Sequence, residues 1–93
     1  MTSPQYPVSI SAGGVYYETT ISTLSSQPTR HGVFANVNKQ GCIFVDRDGM
    51  LFSYILNYLR TGVLVYDSND EVLRKLLLLE AKYFGLDKLA DCL

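Results

Sequence analysis

The sequence predicts an α+β domain, a small sheet packed against short helices, and three observations carry that reading. Val8-Ser9-Ile10-Ser11 alternates apolar and polar residues ahead of Ala12-Gly13-Gly14, and residues 15–21 are rich in strand formers, so the chain opens on a β-hairpin. Cys42-Ile43-Phe44-Val45 is a short β-branched and aromatic run halted by charge, which reads as a buried strand. Downstream, apolar residues recur with the period of a helix at Phe52, Ile55, Leu56 and Leu59, and again through residues 72–84. A chain of 93 residues that is 47% hydrophobic and 18% charged has room for one core and one domain.

Taken in order, residues 1–7 hold Pro4 and Pro7 among polar neighbours and read as an extended lead-in to an ordered domain over 8–93. Gly13-Gly14 supplies the positive backbone angles of a tight turn. It lacks the third glycine and the following Lys-Ser or Lys-Thr of a phosphate loop. Ser22 is a candidate N-cap for a short helix that turns Leu24 inward. Residues 25–40 promise at most two helical turns, fraying near Asn36, since Pro28 limits the start and Gly32 costs about 1 kcal/mol in a helix relative to Ala. Asn38-Lys39-Gln40-Gly41 then reads as a turn into the strand at Cys42.

Residues 42–62 organise the rest. Asp46-Arg47-Asp48-Gly49 forms a charged corner in which the Asp48 carboxylate can accept from orphan amides near Leu51 and favour the positive end of the helix. Gly62 supplies the stop. Phe52, Ile55, Leu56 and Leu59 make the core stripe, and Ser53, Tyr54, Asn57, Arg60 and Thr61 the opposite arc. Val63-Leu64-Val65-Tyr66 suits a short edge strand or an extended connection. Asp67-Ser68-Asn69-Asp70 then launches a helix from about Asn69 to Phe84. Val72, Leu76, Leu79 and Tyr83 trace one stripe of that helix and Leu73, Leu77, Ala81 and Phe84 the adjacent one, so it should be covered on more than one side. Gly85 ends it, and Leu86, Leu89, Ala90 and Leu93 repeat the helical spacing with Asp87 at the start of a last short helix.

Composition also narrows function. A net charge of -1 with scattered Lys and Arg gives no footprint for nucleic acid or an anionic membrane. The longest apolar run, residues 76–79, is far short of a span, and the N-terminus has no signal pattern, which implies a soluble intracellular chain, cytoplasmic or else nuclear. Cys42 and Cys92 lack the spacing of a zinc or redox pair, and the single His31 has no ligand or carboxylate at useful spacing. No metal, cofactor or catalytic role is therefore expected. Arg47 between Asp46 and Asp48 favours two ionised acids, not the split pKa values of an acid and base pair. Seven tyrosines and four phenylalanines exceed what so small a fold can enclose, which points to subunit contacts. The charged corner is either a cap with a surface ion pair or a polar contact between subunits.

The strand, then Asp46-Arg47-Asp48-Gly49, Phe52, Ile55-Leu56-Asn57-Tyr58-Leu59-Arg60 and Gly62, resembles the BTB/POZ domains of the potassium-channel tetramerisation-domain-containing (KCTD) proteins. The hairpin residues Val8, Ile10, Gly13-Gly14, Tyr17, Thr19-Thr20 and Thr23-Leu24, and the ending Leu79-Glu80-Ala81-Lys82-Tyr83-Phe84-Gly85-Leu86, carry the same likeness. Ala12 and Ser11 depart mildly from it, and residues 25–40 are shorter and more polar than is usual there. The resemblance implies a three-stranded mixed sheet packed against about five short helices, self-assembly into a tetramer or pentamer and, for many relatives, an adaptor role through the N-terminal region of cullin-3 in a ubiquitin ligase. It implies Asp46, Arg47, Asp48, Tyr54, Asn57 and Arg60 as the oligomer interface and Phe34 as the cullin-facing residue. A self-association module without cullin, one that sets the copy number of an attached domain or tethers it to a receptor, channel or transcription factor, is the alternative. The zinc-binding His-Cys-Cys pattern of some channel domains is absent.

Overall fold

The computed structural model of the chain describes residues 7–30, 32–34 and 41–93. Strand β1 (Pro7–Ala12) and strand β2 (Val15–Thr20) form the antiparallel hairpin. Its turn needs two consecutive left-handed residues, and Gly13 and Gly14 adopt φ 56° and 91°. Strand β3 (Cys42–Val45) returns parallel to β1, which gives a mixed sheet of order β2-β1-β3.

The pairing Tyr17–Ile10–Ile43 and Val15–Ala12–Val45 puts Ile10, Ala12, Ile43 and Val45 on the core, with Tyr17 packed at its edge and Val15 exposed. Helix α2 (Gly49–Thr61) covers that face through Phe52, Ile55, Leu56 and Leu59, all buried, and Tyr58 joins them. The Asp48 carboxylate accepts from the amides of Met50 and Leu51 at 2.9 and 3.1 Å, and Gly62 closes the helix at φ 79°. Helix α3 (Glu71–Phe84) adds Leu77, Ala81 and Phe84, and helix α4 (Asp87–Cys92) adds Leu89. The rings of Phe52 and Phe84 meet at 5.6 Å at the centre.

Several expectations change. The short helix α1 (Ile21–Leu24) is capped by Thr20, whose hydroxyl accepts from the Thr23 amide at 3.2 Å, and not by Ser22; β2 runs straight into the helix, so Ser22 already lies inside it. Residues 25–30 and 32–34 contain turns and irregular backbone but no helix, with Gly32 at φ 78°. Four helices therefore stand among the described residues where about five were expected. Of the two forms expected for residues 63–66, the extended connection is the one seen, with no strand pairing among the described residues. Helix α3 starts at Glu71, because the Asp70 side chain takes the cap by accepting from the Leu73 amide at 2.9 Å. Of its other apolar stripe, Val72, Leu76 and Leu79 are exposed and Tyr83 is half-buried against the core, so the described residues cover that stripe only at its end. The expectations for His31, for Asn36 and for the turn at Asn38-Lys39-Gln40 fall outside the described residues.

Candidate interaction surface

The corner between β3 and α2 divides its three charges. Asp48 turns along α2 as the cap, and both it and Asp46 stay exposed. Arg47 turns inward: its Nε donates to Glu80 Oε1 at 3.2 Å and its Nη2 to Glu80 Oε2, and its guanidinium lies 4.4 Å above the Tyr83 ring. The hydrogen bonds that Arg47 donates to the Glu80 carboxylate raise the Arg47 pKa above its ordinary value against the opposing effect of burial, so the guanidinium is held charged. The corner is thereby anchored to α3, and Asp46 and Asp48 are the charges it presents to solvent. The sequence pattern singled out Arg47 without its partner, because an ion pair across 33 residues leaves no local signature.

The outer arc of α2 is accessible. Arg60 donates to Asn57 Oδ1 at 3.3 Å and to the Glu18 carbonyl of the edge strand β2 at 2.8 Å, so it fastens the end of α2 to the sheet while staying exposed. Tyr54 and Asn57, with Ser53, Thr61, Val63 and Val65, line a groove of about 390 Å³ between the helix and the connection that follows it. Val63 and Val65 are exposed there.

A second surface was missed at the level of single residues. On the sheet face opposite the core, Tyr16 and Phe44 are the cross-strand partners of Ser11 on its two sides. Tyr16 and Phe44 are 74% and 64% exposed, yet Ser11 between them is only 9% exposed. Aromatic excess in the composition signalled surplus rings but not which ones. Phe34, by contrast, packs inward. Its ring stacks on Phe84 at 5.6 Å and meets Phe52 edge-on at 6.5 Å. Among the described residues, no group of His, Cys, Asp and Glu is arranged to hold a metal ion, and no helix is long and apolar enough to cross a membrane.

The BTB/POZ domain family matches the chain over residues 8–92. The BTB/POZ domain-containing proteins KCTD21 of Mus musculus and Homo sapiens are each 34% identical to it over 94 residues, which covers 94% of this chain. The chain spans 36% of the length of those two relatives.

Proposed function

The chain belongs to the BTB/POZ domain family, and from that premise we propose that it assembles with copies of itself into a tetrameric or pentameric ring that serves as a substrate adaptor for a cullin-3 ubiquitin ligase in the cytoplasm. Membership supports the coarse part of this reading, a protein interaction domain. The observation that carries self-assembly is the pair of exposed rings, Tyr16 and Phe44, on the outer sheet face, with the exposed Asp46 two residues beyond Phe44. Rings left in water on an ordered sheet gain from a covering partner.

A closed ring uses two different surfaces of each copy. In this reading the outer sheet face with Asp46 and Asp48 forms one, and the α2 arc with Tyr54, Asn57 and Arg60 the other. Charge at the corner sets register more than affinity. Arg47 contributes by holding the corner in place. The cullin-facing role of Phe34 is the weaker element, because its ring is committed to Phe84 and Phe52. That packing favours the second reading, a self-association module without cullin.

Absolute mass by light scattering on a sizing column, at two concentrations, alone and with the cullin-3 N-terminal region, tests both. A four- or five-fold mass that grows with cullin is expected. An oligomer indifferent to cullin moves the assignment to the second reading, and a monomer at both concentrations overturns self-assembly.

A further inference from the structure

A cavity of about 180 Å³ lies where the segment after α1 meets the junction of α3 and α4. Gln27 and Pro28 line it from the segment, Gly85 and Leu86 from the junction, and Tyr58 from α2. None of these residues belongs to the surfaces assigned to self-assembly. Its walls are fixed by long-range contacts. Ser26 Oγ donates to the Leu59 carbonyl and the Arg30 amide to the Phe84 carbonyl, both at 2.6 Å, so Gln27 and Pro28 are held between two anchors. A Cβ at position 85 would lie 2.5 Å from the Arg30 nitrogen, so this close approach needs glycine. A cavity whose backbone is already placed loses little freedom when it is filled.

Polar groups and volume together define the ligand. Inside, Tyr58 is only 8% exposed, yet its hydroxyl, like the side-chain amide of the half-buried Gln27, has no hydrogen-bond partner among the described residues. Such groups gain when a ligand supplies the partner. Asp87 and Lys88, adjacent and exposed, also line the cavity and stand at its mouth, and neither has an ion-pair partner among the described residues. A ligand with a single charge is attracted by one of them and repelled by the other, whereas a zwitterion meets both. A cavity of about 150 Å³ takes a benzene molecule. This one therefore holds one six-membered ring with a small substituent, packed on the Tyr58 ring and Pro28.

We propose that this cavity binds a free hydroxyaryl α-amino acid. The ring fills the cavity and its hydroxyl pairs with Tyr58 and Gln27, while the ammonium and carboxylate groups meet Asp87 and Lys88 at the mouth. So small a ligand in a partly open cavity suits a dissociation constant of about 0.1–1 mM.

The probe is L-tyrosine, titrated to its solubility limit into the ¹⁵N-labelled protein and followed by amide chemical shifts. The shifts should follow a saturation curve and cluster at residues 26–30 and 85–88. L-phenylalanine lacks the ring hydroxyl, tyramine the carboxylate and 3-(4-hydroxyphenyl)propionate the ammonium, and each should bind at least about threefold more weakly. Tyr58→Phe keeps the ring and removes a hydroxyl that the fold does not use, so it should melt as the parent does and reduce the preference for tyrosine over phenylalanine. Lys88→Glu, at an exposed position, should weaken tyrosine and strengthen tyramine. Absence of saturable shifts with tyrosine, or shifts centred away from the cavity, overturns the proposal. So does an unchanged preference for tyrosine over phenylalanine in Tyr58→Phe, or an unchanged order of tyrosine and tyramine affinities in Lys88→Glu.

Discussion

Arg47 and Glu80 form a two-pronged ion pair that joins the corner after β3 to the middle of α3, with the Glu80 side chain 4% exposed and that of Arg47 29%. Removing Arg47 strands a buried carboxylate, so Arg47→Met should cost about 2–3 kcal/mol, below the fully buried case because the guanidinium still meets water. Pairing that change with Glu80→Leu should recover most of the loss. Urea midpoints of the two single variants and the double variant measure the coupling, and additive costs would show that the pair does not act as a unit.

The start of α2 sits against the hairpin because residue 49 has no side chain. A methyl group built on Gly49 would lie 2.4 Å from Val15 Cγ2 and 2.5 Å from the Ala12 carbonyl. Gly49→Ala should therefore destabilise by about 1–3 kcal/mol despite its better helix propensity. Val15→Ala should relieve only part of that, since the backbone contact remains. A thermal melt of Gly49→Ala at or above the unaltered midpoint would contradict the close approach.

Much of this was legible in the sequence because it rests on local rules. The Asp48 cap, the Gly62 stop and the stripe of Phe52, Ile55, Leu56 and Leu59 follow from spacing and cap chemistry within one turn or two. The hairpin followed from alternation and two glycines. What escaped depends on distant partners or on competition between near-equal neighbours. Thr20 displaced Ser22 as cap because β2 extends to the helix itself, and the Val72 stripe looked core-like because periodicity does not say which of two apolar stripes a small core can cover. In the candidate surface, residue type marked the corner as charged. Only the fold showed that Arg47 is spent on Glu80 and that Tyr16 and Phe44 flank Ser11.

Thr19 offers a stabilising change. It faces the core from β2, it is buried, and its hydroxyl has no hydrogen-bond partner among the described residues. The desolvation of that group is uncompensated, and valine keeps the shape and suits a strand. Thr19→Val should raise stability by about 1 kcal/mol and shift the urea midpoint upward with an unchanged slope. A lower midpoint would mean that the hydroxyl is satisfied in solution.

The role of the charged corner in self-assembly is best tested away from Arg47. Arg47→Glu would set a second carboxylate against Glu80, so a lost assembly could follow from damage to the fold. Asp46 is exposed and outside the cap, and Tyr54 faces the groove beside α2. Asp46→Lys should leave stability within about 0.5 kcal/mol of the parent, as exposed changes usually do, and Tyr54→Glu, at a half-buried position, should cost about 1 kcal/mol and keep a cooperative melt. If these residues lie between copies, both variants should shift the scattering mass toward the monomer at the lower protein concentration, where weakened contacts dissociate first. A parental mass together with a native melt in both would remove the corner and the α2 arc from the interface. The exposed rings of Tyr16 and Phe44 would then be left to carry assembly, and Phe44→Ser would have to abolish it.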